Sequence, residues 1–448
     1  MAELKELDIQ LADEGWNIYG GKSFNIWGLV DFPPELLKYI LDYKGKTFVS
    51  FDPNTGKKIK KTGQRAPVWT AFDKYLYNDY NPKSKDNSLP KISATFKSCF
   101  DHKYSAIVEN MGMHIAIALD MPTSYNYIVA FNPEKHKKIV QNYPTPDLKD
   151  KLQPIGIVSI DFLQARQTDK VTTDKSAYFH GKEENPDSTF FFDGDQLITF
   201  EDALKKHHIV LDKLAGEENY IEHWIDVVDK IAREEFKNIP KEKLSKITED
   251  IHSRIARSFL LKDCILGDCD FTSYNGGIVV NSHKIRYAAN HDYGDICNGL
   301  VKNKFTFDLY CGMSLDTFQK LPQAIQDKIL AAQKRFSAKT VEQLAEDWAS
   351  SSSEHNFYYV LKNFPNACKE FFNNTANLIQ KKQIEKIVAK YTKITVNGNA
   401  LLTKEEADMF ITYLNARASH YCELYVNHLN GIHSKVPENT ELDSYAME

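Results

Sequence analysis

Absent from this 448-residue chain is any Cys-x-x-Cys pair. Its seven cysteines (Cys99, Cys264, Cys269, Cys297, Cys311, Cys368 and Cys422) are an odd number and lie scattered. That pattern excludes a disulfide framework and argues against zinc; it fits reduced, mostly buried thiols. There is no basic excess either. The formal net charge is −5, which lacks the electrostatic footprint that nucleic-acid binding demands. No apolar run reaches membrane-spanning length, and the stretch from Met1 to Trp16 is acidic and polar, without the apolar core of a signal peptide. The expectation is a soluble protein of a cytoplasm, or one secreted without a cleaved leader. No internal repeat is visible. The length suggests two or three domain-sized units.

What is present is concentrated in one stretch, Gly267-Asp268-Cys269-Asp270-Phe271-Thr272-Ser273-Tyr274-Asn275-Gly276-Gly277, followed by Asp292-Tyr293-Gly294. An Asp with an Asn five positions on, then a hairpin, then Asp-aromatic-Gly is the layout of a kinase catalytic centre. Phosphoryl transfer needs a carboxylate to accept the proton of the attacking hydroxyl, and hard oxygen ligands for the cation that neutralises the nucleotide phosphates. Asp270 is the candidate base; Asn275 and Asp292 are the candidate ligands of Mg²⁺ or Mn²⁺. Gly277 to Val280 and Lys284 to Ala289 read as two strands around the polar turn Asn281-Ser282-His283. Upstream, Leu244, Ile247, Ile251, Ile255 and Phe259 mark one face of a helix that would run to about Leu266 and stop at Gly267. A lone Asp-x-x-x-x-Asn is more often a turn that caps its own backbone. The matching upstream half raises its weight: a strand from Pro90 to Lys97, then Glu109 opening an amphipathic helix that closes at Asp120-Met121-Pro122. In kinases a strand lysine paired with a helix glutamate holds the α- and β-phosphates of ATP.

The segment from Glu109 to Val129, with Met121-Pro122-Thr123-Ser124-Tyr125, resembles the HipA-like kinases, and so does the catalytic-loop stretch around Asp270 and Asn275. The resemblance covers roughly residues 60 to 300. It implies that Ile155 to Leu163 is the hinge where adenine docks, with Ile160 and Phe162 beside it, and that Thr62-Gly63 belongs to the loop covering the phosphates. An ordinary polar turn after the basic run Lys57 to Lys61 is the alternative for Thr62-Gly63. Two positions depart from the family pattern. Phe271 and Thr272 follow the Asp where a basic residue or His is usual, and Tyr293-Gly294 is closer to ordinary protein kinases.

The fold expected is α+β, bilobal and protein-kinase-like: a small mixed lobe over residues 1–163 and a large, mostly helical lobe over 164–448. Thr403-Lys404-Glu405-Glu406 has capping-box spacing and opens a long helix with Ala407, Phe410, Ile411, Leu414, Ala418 and Tyr421 on one face. The resemblance implies an ATP-dependent Ser/Thr protein kinase of toxin or effector type, with a protein substrate; a lipid or inositol acceptor stays open. Basic runs at Lys57–Lys61 and Lys135–Lys138 are solvated surface or a site for an acidic ligand or regulatory partner. Two rivals stand beside the kinase reading. One is a metal-dependent phosphoesterase using Gly267-Asp268 and Asn290-His291-Asp292, with Asp250 and His252 as its upstream pair. The other is a pseudokinase scaffold.

Overall fold

The structure, a computed structural model, describes residues 2–8, 10–11, 25–31, 47–51, 58–62, 91–100, 102–141, 152–160, 196–207, 220–237, 239–268, 270–273, 275–281, 284–288, 290, 292–306, 319–320, 322–350 and 352–432. It is a mixed α+β fold. A five-stranded antiparallel sheet is ordered Gln10–Leu11, Asn25–Asp31, Lys91–Phe100, Leu152–Ile160, Asn126–Ala130. Alternation explains its central strand. Ala94, Phe96 and Ser98 are buried, while Thr95 and Lys97 turn to the other face and stay half-buried. A register shift between Ser98 and Phe100 ends the regular pairing, and Cys99 is buried there too. The strand therefore runs three residues beyond Lys97, which sits within it and not at its end.

Behind this sheet lies the helix Tyr104–Ala118. It differs from the expectation in two ways. It starts five residues before Glu109, so that glutamate is mid-helix and not at a favourable N-terminus. It also has almost no polar face: Ala106 to Met113 are all buried, which is the signature of a helix packed on several sides and not of an amphipathic one. Asp120, at φ 58°, ends the turn that follows.

The helix predicted from Leu244 to Phe259 spans Lys241–Phe259 and continues as one π-type turn, Leu260–Ile265, whose six residues are all buried. It stops at Gly267, at φ +62°, where a Cβ would meet the Tyr413 hydroxyl at 2.6 Å. Gly277–Asn281 and Lys284–Tyr287 form the expected hairpin, extended to three strands by Gln196–Thr199. The capping box at Thr403 and Glu406 is formed, and the helix behind it runs Lys404–Leu429. Its buried face also includes Tyr413 and Arg417, which the apolar pattern did not name. The chain's first strand, Ala2–Glu3, pairs in parallel with Ile394–Val396, so residues assigned by sequence to the 1–163 unit are built into the far end of the chain. Among the described residues no helix is long and apolar enough to cross a membrane.

Arg417 stitches this helical part together under the π turn. Its Nη1 donates to the Ala345 and Asp347 carbonyls at 3.1 and 2.6 Å, and its Nη2 to the Asp263 carbonyl at 2.8 Å. The Asp263 carboxylate accepts from Ser353 Oγ at 2.9 Å. Burial pushes the Asp263 carboxyl up to about 7, against the opposing pull of Ser353 and Arg417. A raised carboxyl pKa means the folded chain holds the proton more tightly than the unfolded one. The stability it contributes is complete below about pH 4 and is lost as pH rises to about 7. Asp263→Asn keeps an acceptor for Ser353 and removes the titration. Urea midpoints at pH 5 and pH 7.5 are expected to fall less in this variant than in the wild type; equal falls would mean the carboxyl does not titrate there.

Candidate active site

Lys97 projects from the sheet toward the Glu109 helix and the Asp292 segment. Its Nζ donates to Asp292 Oδ1 at 3.1 Å and faces Glu109 Oε2 at 3.7 Å. Burial works against the ammonium, yet Asp292 and Glu109 hold its pKa well above the ordinary lysine value. Glu109 is 4% exposed, and among the described residues Oε2 has no hydrogen-bond partner. Burial raises its carboxyl; Lys97 and the Tyr293 backbone N–H pull it back down. An ammonium shared between two carboxylates is the arrangement from which a nucleotide phosphate can take it over.

Each residue of Asp292-Tyr293-Gly294 has a physical reason. Asp292 stands at φ 54°, a region Asp tolerates better than most side chains. Tyr293 is fully buried and lies so close to the Glu109 helix that a Cβ on Gly112 would come 2.7 Å from its ring. Its hydroxyl is 2.8 Å from Thr123 Oγ1, which in turn donates to the Asn290 carbonyl at 3.0 Å. A Cβ on Gly294 would press on Lys97 Nζ at 3.1 Å and Glu109 Oε2 at 3.3 Å, so a side chain here would push on the ion pair.

Lys262 joins this half of the site to the Asp270 loop. Its side chain has zero exposure and its Nζ sits 3.2 Å from Asp268 Oδ2. The same nitrogen donates to the Asp292 carbonyl at 2.8 Å and lies over the Phe271 and Tyr293 rings at 5.1 and 5.3 Å. Asp268 Oδ1 accepts from the Asp270 N–H at 2.9 Å. Asn275 Nδ2 donates to the Asp270 carbonyl at 2.7 Å and to Asp270 Oδ2 at 3.0 Å. Partial burial and then the carboxylates of Asp295 and Asp292 raise the Asp270 pKa; Asn275 opposes them.

The structure thus brings Lys97, Glu109 and Asp292 into direct contact, and Asp270 and Asn275 into a second cluster one lysine away. Ile160 lies at the end of its strand, buried, with its N–H bonded to the Tyr125 carbonyl at 2.8 Å. Thr62 ends the strand Lys58–Thr62, which pairs with Thr47–Phe51. Gly63 and Phe162 lie outside the described residues. Asn275 and Asp292 offer a carbonyl and a carboxylate, hard donors that suit Mg²⁺ or Mn²⁺. Among the described residues no three or more His, Cys, Asp or Glu side chains gather as a metal cage. Mg²⁺ at phosphoryl-transfer sites takes one or two carboxylates together with phosphate oxygens.

The ligand set of a two-metal phosphoesterase is not assembled among the described residues, and His291 lies outside them. Asp268 is spent on Lys262, Asn290 Nδ2 donates to the Pro122 carbonyl at 2.9 Å, Asp250 pairs with Arg254, and His252 faces Asp229. Sequence reasoning missed Lys262, Asp268 as its partner, and Asp295. The signal for Lys262 was there: Lys262-Asp263 interrupts an otherwise apolar run from Phe259 to Leu266.

No protein-family model matches the chain, and no curated protein matches it by sequence. Among solved structures it is similar to CtkA, a proinflammatory kinase of Helicobacter pylori, at 13% identity and a TM-score of 0.39, over 88% of this chain and 97% of that one. At that score the overlay carries no functional assignment, which has to come from the site itself.

Gly112→Ala puts a methyl group into the Tyr293 ring. Overpacking of this kind costs about 1–3 kcal/mol, offset by about 1 kcal/mol of helix propensity. A lower urea midpoint is expected, with recovery when Tyr293 is shortened to Leu in the same chain. An unchanged midpoint in the single variant would show that the ring is not seated on Gly112.

Proposed function

We propose that this chain is an ATP- and divalent-metal-dependent kinase. The observation that supports it most is the shared Lys97 ammonium, held by Asp292 and Glu109, with the Asp292 carbonyl tied through Lys262 to the loop that carries Asp270 and Asn275. In this reading Lys97 draws the α- and β-phosphates, and Glu109, which touches no phosphate, keeps the ammonium in place. Asp270 accepts the proton of the acceptor hydroxyl. Asn275 Nδ2 steadies that carboxylate, and Asn275 Oδ1 serves as a cation donor. Asp292 is the carboxylate ligand. The bound cation supplies charge neutralisation on the phosphates. Because Asp270 is exposed, a hydroxyl on a large acceptor reaches it, which fits a protein Ser or Thr; the HipA-like resemblance favours the same acceptor.

The first experiment is a thermal-shift series with ATP and Mg²⁺, each alone and together. A kinase is stabilised by ATP with metal. Stabilisation by Mg²⁺ alone, or no response to ATP with metal, would sink the reading. Asp270→Asn removes proton acceptance with little change in volume and is expected to lower turnover on the order of 10²–10⁴-fold, with ATP binding retained. Lys97→Ala and Glu109→Ala are each expected to weaken nucleotide binding, and the double variant to lose no more than Lys97→Ala alone. Losses that add in full would mean the two side chains do not act as a pair.

A further inference from the structure

The helix that carries Glu109 has no N-terminal signal of its own. Lys103, at its N-cap, makes no side-chain capping bond, and the first turn holds no acidic residue. Helix ends of this kind leave four backbone N–H groups without intrahelical partners. What fixes this end comes from about three hundred residues downstream. Glu406 accepts from Lys103 Nζ at 3.1 Å and from the Tyr104 hydroxyl. The same carboxylate closes the capping box of its own helix by accepting from the Thr403 N–H at 2.7 Å. Around it the Tyr104 ring stacks on Phe305, centroids 4.7 Å apart, and Phe305 packs against Phe410 at 5.2 Å. A second grip lies just past Glu109: the Tyr391 hydroxyl donates to Asn110 Oδ1 at 2.8 Å, while Asn110 Nδ2 reaches the Asn126 carbonyl at 2.9 Å. The two grips bracket Glu109 along its helix, and both come from residues 391–406.

We propose that Glu406 is a positioning residue for phosphoryl transfer: through Lys103 and Tyr104 it sets the Glu109 helix, and so the Glu109–Lys97 pair, from the C-terminal end of the chain. The inference rests on the kinase reading and deepens it. In kinases, placement of the helix that bears this glutamate controls whether the lysine is available to the phosphates. Here the placement is built into the chain by its last described helix. No Ala-Pro-Glu follows Gly294, so the sequence does not carry the end-mark of a phosphorylated activation loop.

Glu406→Gln separates the two jobs of this side chain. Gln serves as well as Glu in a capping box, so the long helix keeps its start. The charge that holds Lys103 and strengthens the Tyr104 bond is gone. Tyr104→Phe removes the hydroxyl and keeps the ring stack. Two readouts are taken on the full chain: hydrogen exchange of amides 104–110 and 404–410, and Mg²⁺–ATP affinity by calorimetry, in the native and the Glu109→Gln backgrounds. Expected for both variants is exchange at 104–110 faster on the order of tenfold, with 404–410 unchanged in Glu406→Gln. ATP binding is expected to weaken on the order of tenfold in the native background and to change no further once Glu109 is Gln. Unchanged exchange at 104–110 would overturn the proposal, and so would an affinity loss that multiplies with Glu109→Gln. A wild-type chain that binds no Mg²⁺–ATP at all would remove the kinase reading instead, and the exchange arm alone would then decide whether Glu406 holds the helix.

Discussion

A lysine side chain with no exposure to water is the constraint around which this site is arranged. The Lys262 ammonium has left solvent entirely, and an unpaired charge in that position would cost several kcal/mol. Its three donors therefore dictate their surroundings. The charge is balanced by the Asp268 carboxylate at 3.2 Å, one N–H donates to the Asp292 carbonyl, and the flanks are closed by the faces of Phe271 and Tyr293. Those partners belong to the loop that carries Asp270 and to the Asp-Tyr-Gly segment, so neither can drift without stranding the charge. The π-type turn that carries Lys262 widens the end of a long helix at this point, as such turns often do at functional sites. Truncating the ammonium would leave Asp268 as the uncompensated member, which is the costly way to break a buried pair.

The charges on the open side of the site balance by other means. Lys97 is neutralised from within the protein, by Asp292 at 3.1 Å and Glu109 at 3.7 Å. Asp270, Asp292 and Asp295 crowd negative charge together, which adds to burial in raising the Asp270 pKa. A divalent cation would relieve it. Lys97 is thus balanced within the protein, and the carboxylates beside it are answered singly, Asp292 by Lys97 and Asp270 by Asn275.

Local chemistry was legible in the sequence, and long-range assembly was not. The hairpin at 277–287, the helix ending at Gly267 and the capping box at Thr403 each follow from short-range patterns: β-branched runs, three-to-four periodicity, a Thr-x-x-Glu spacing. The start of the Glu109 helix was missed because Tyr104 carries no cap for a reader to recognise. Its burial was missed because the segment alone does not show that sheet, Tyr293 and the C-terminal helices all pack on it. Arg417 breaks the apolar stripe of its helix, and only the Ala345, Asp347 and Asp263 carbonyls explain why it is inside. Likewise, nothing near Ala2 announces that its strand partner is Ile394.

That last pairing bears on how the molecule comes into being. A ribosome delivers the chain from its first residue, and domains generally close as units when their parts are available. Here the strand at residues 2–3 waits for 394–396, and the helix beginning at Tyr104 waits for Glu406. Contacts of such wide sequence separation form late and slowly, because the intervening chain must first be brought round. Until residues 391–406 emerge, the nascent polypeptide holds the Glu109 helix without the contacts that seat it. The order of assembly is therefore written into the fold: the sheet and its lysine come early in the sequence, and the carboxylate that pins the helix behind them comes about three hundred residues later.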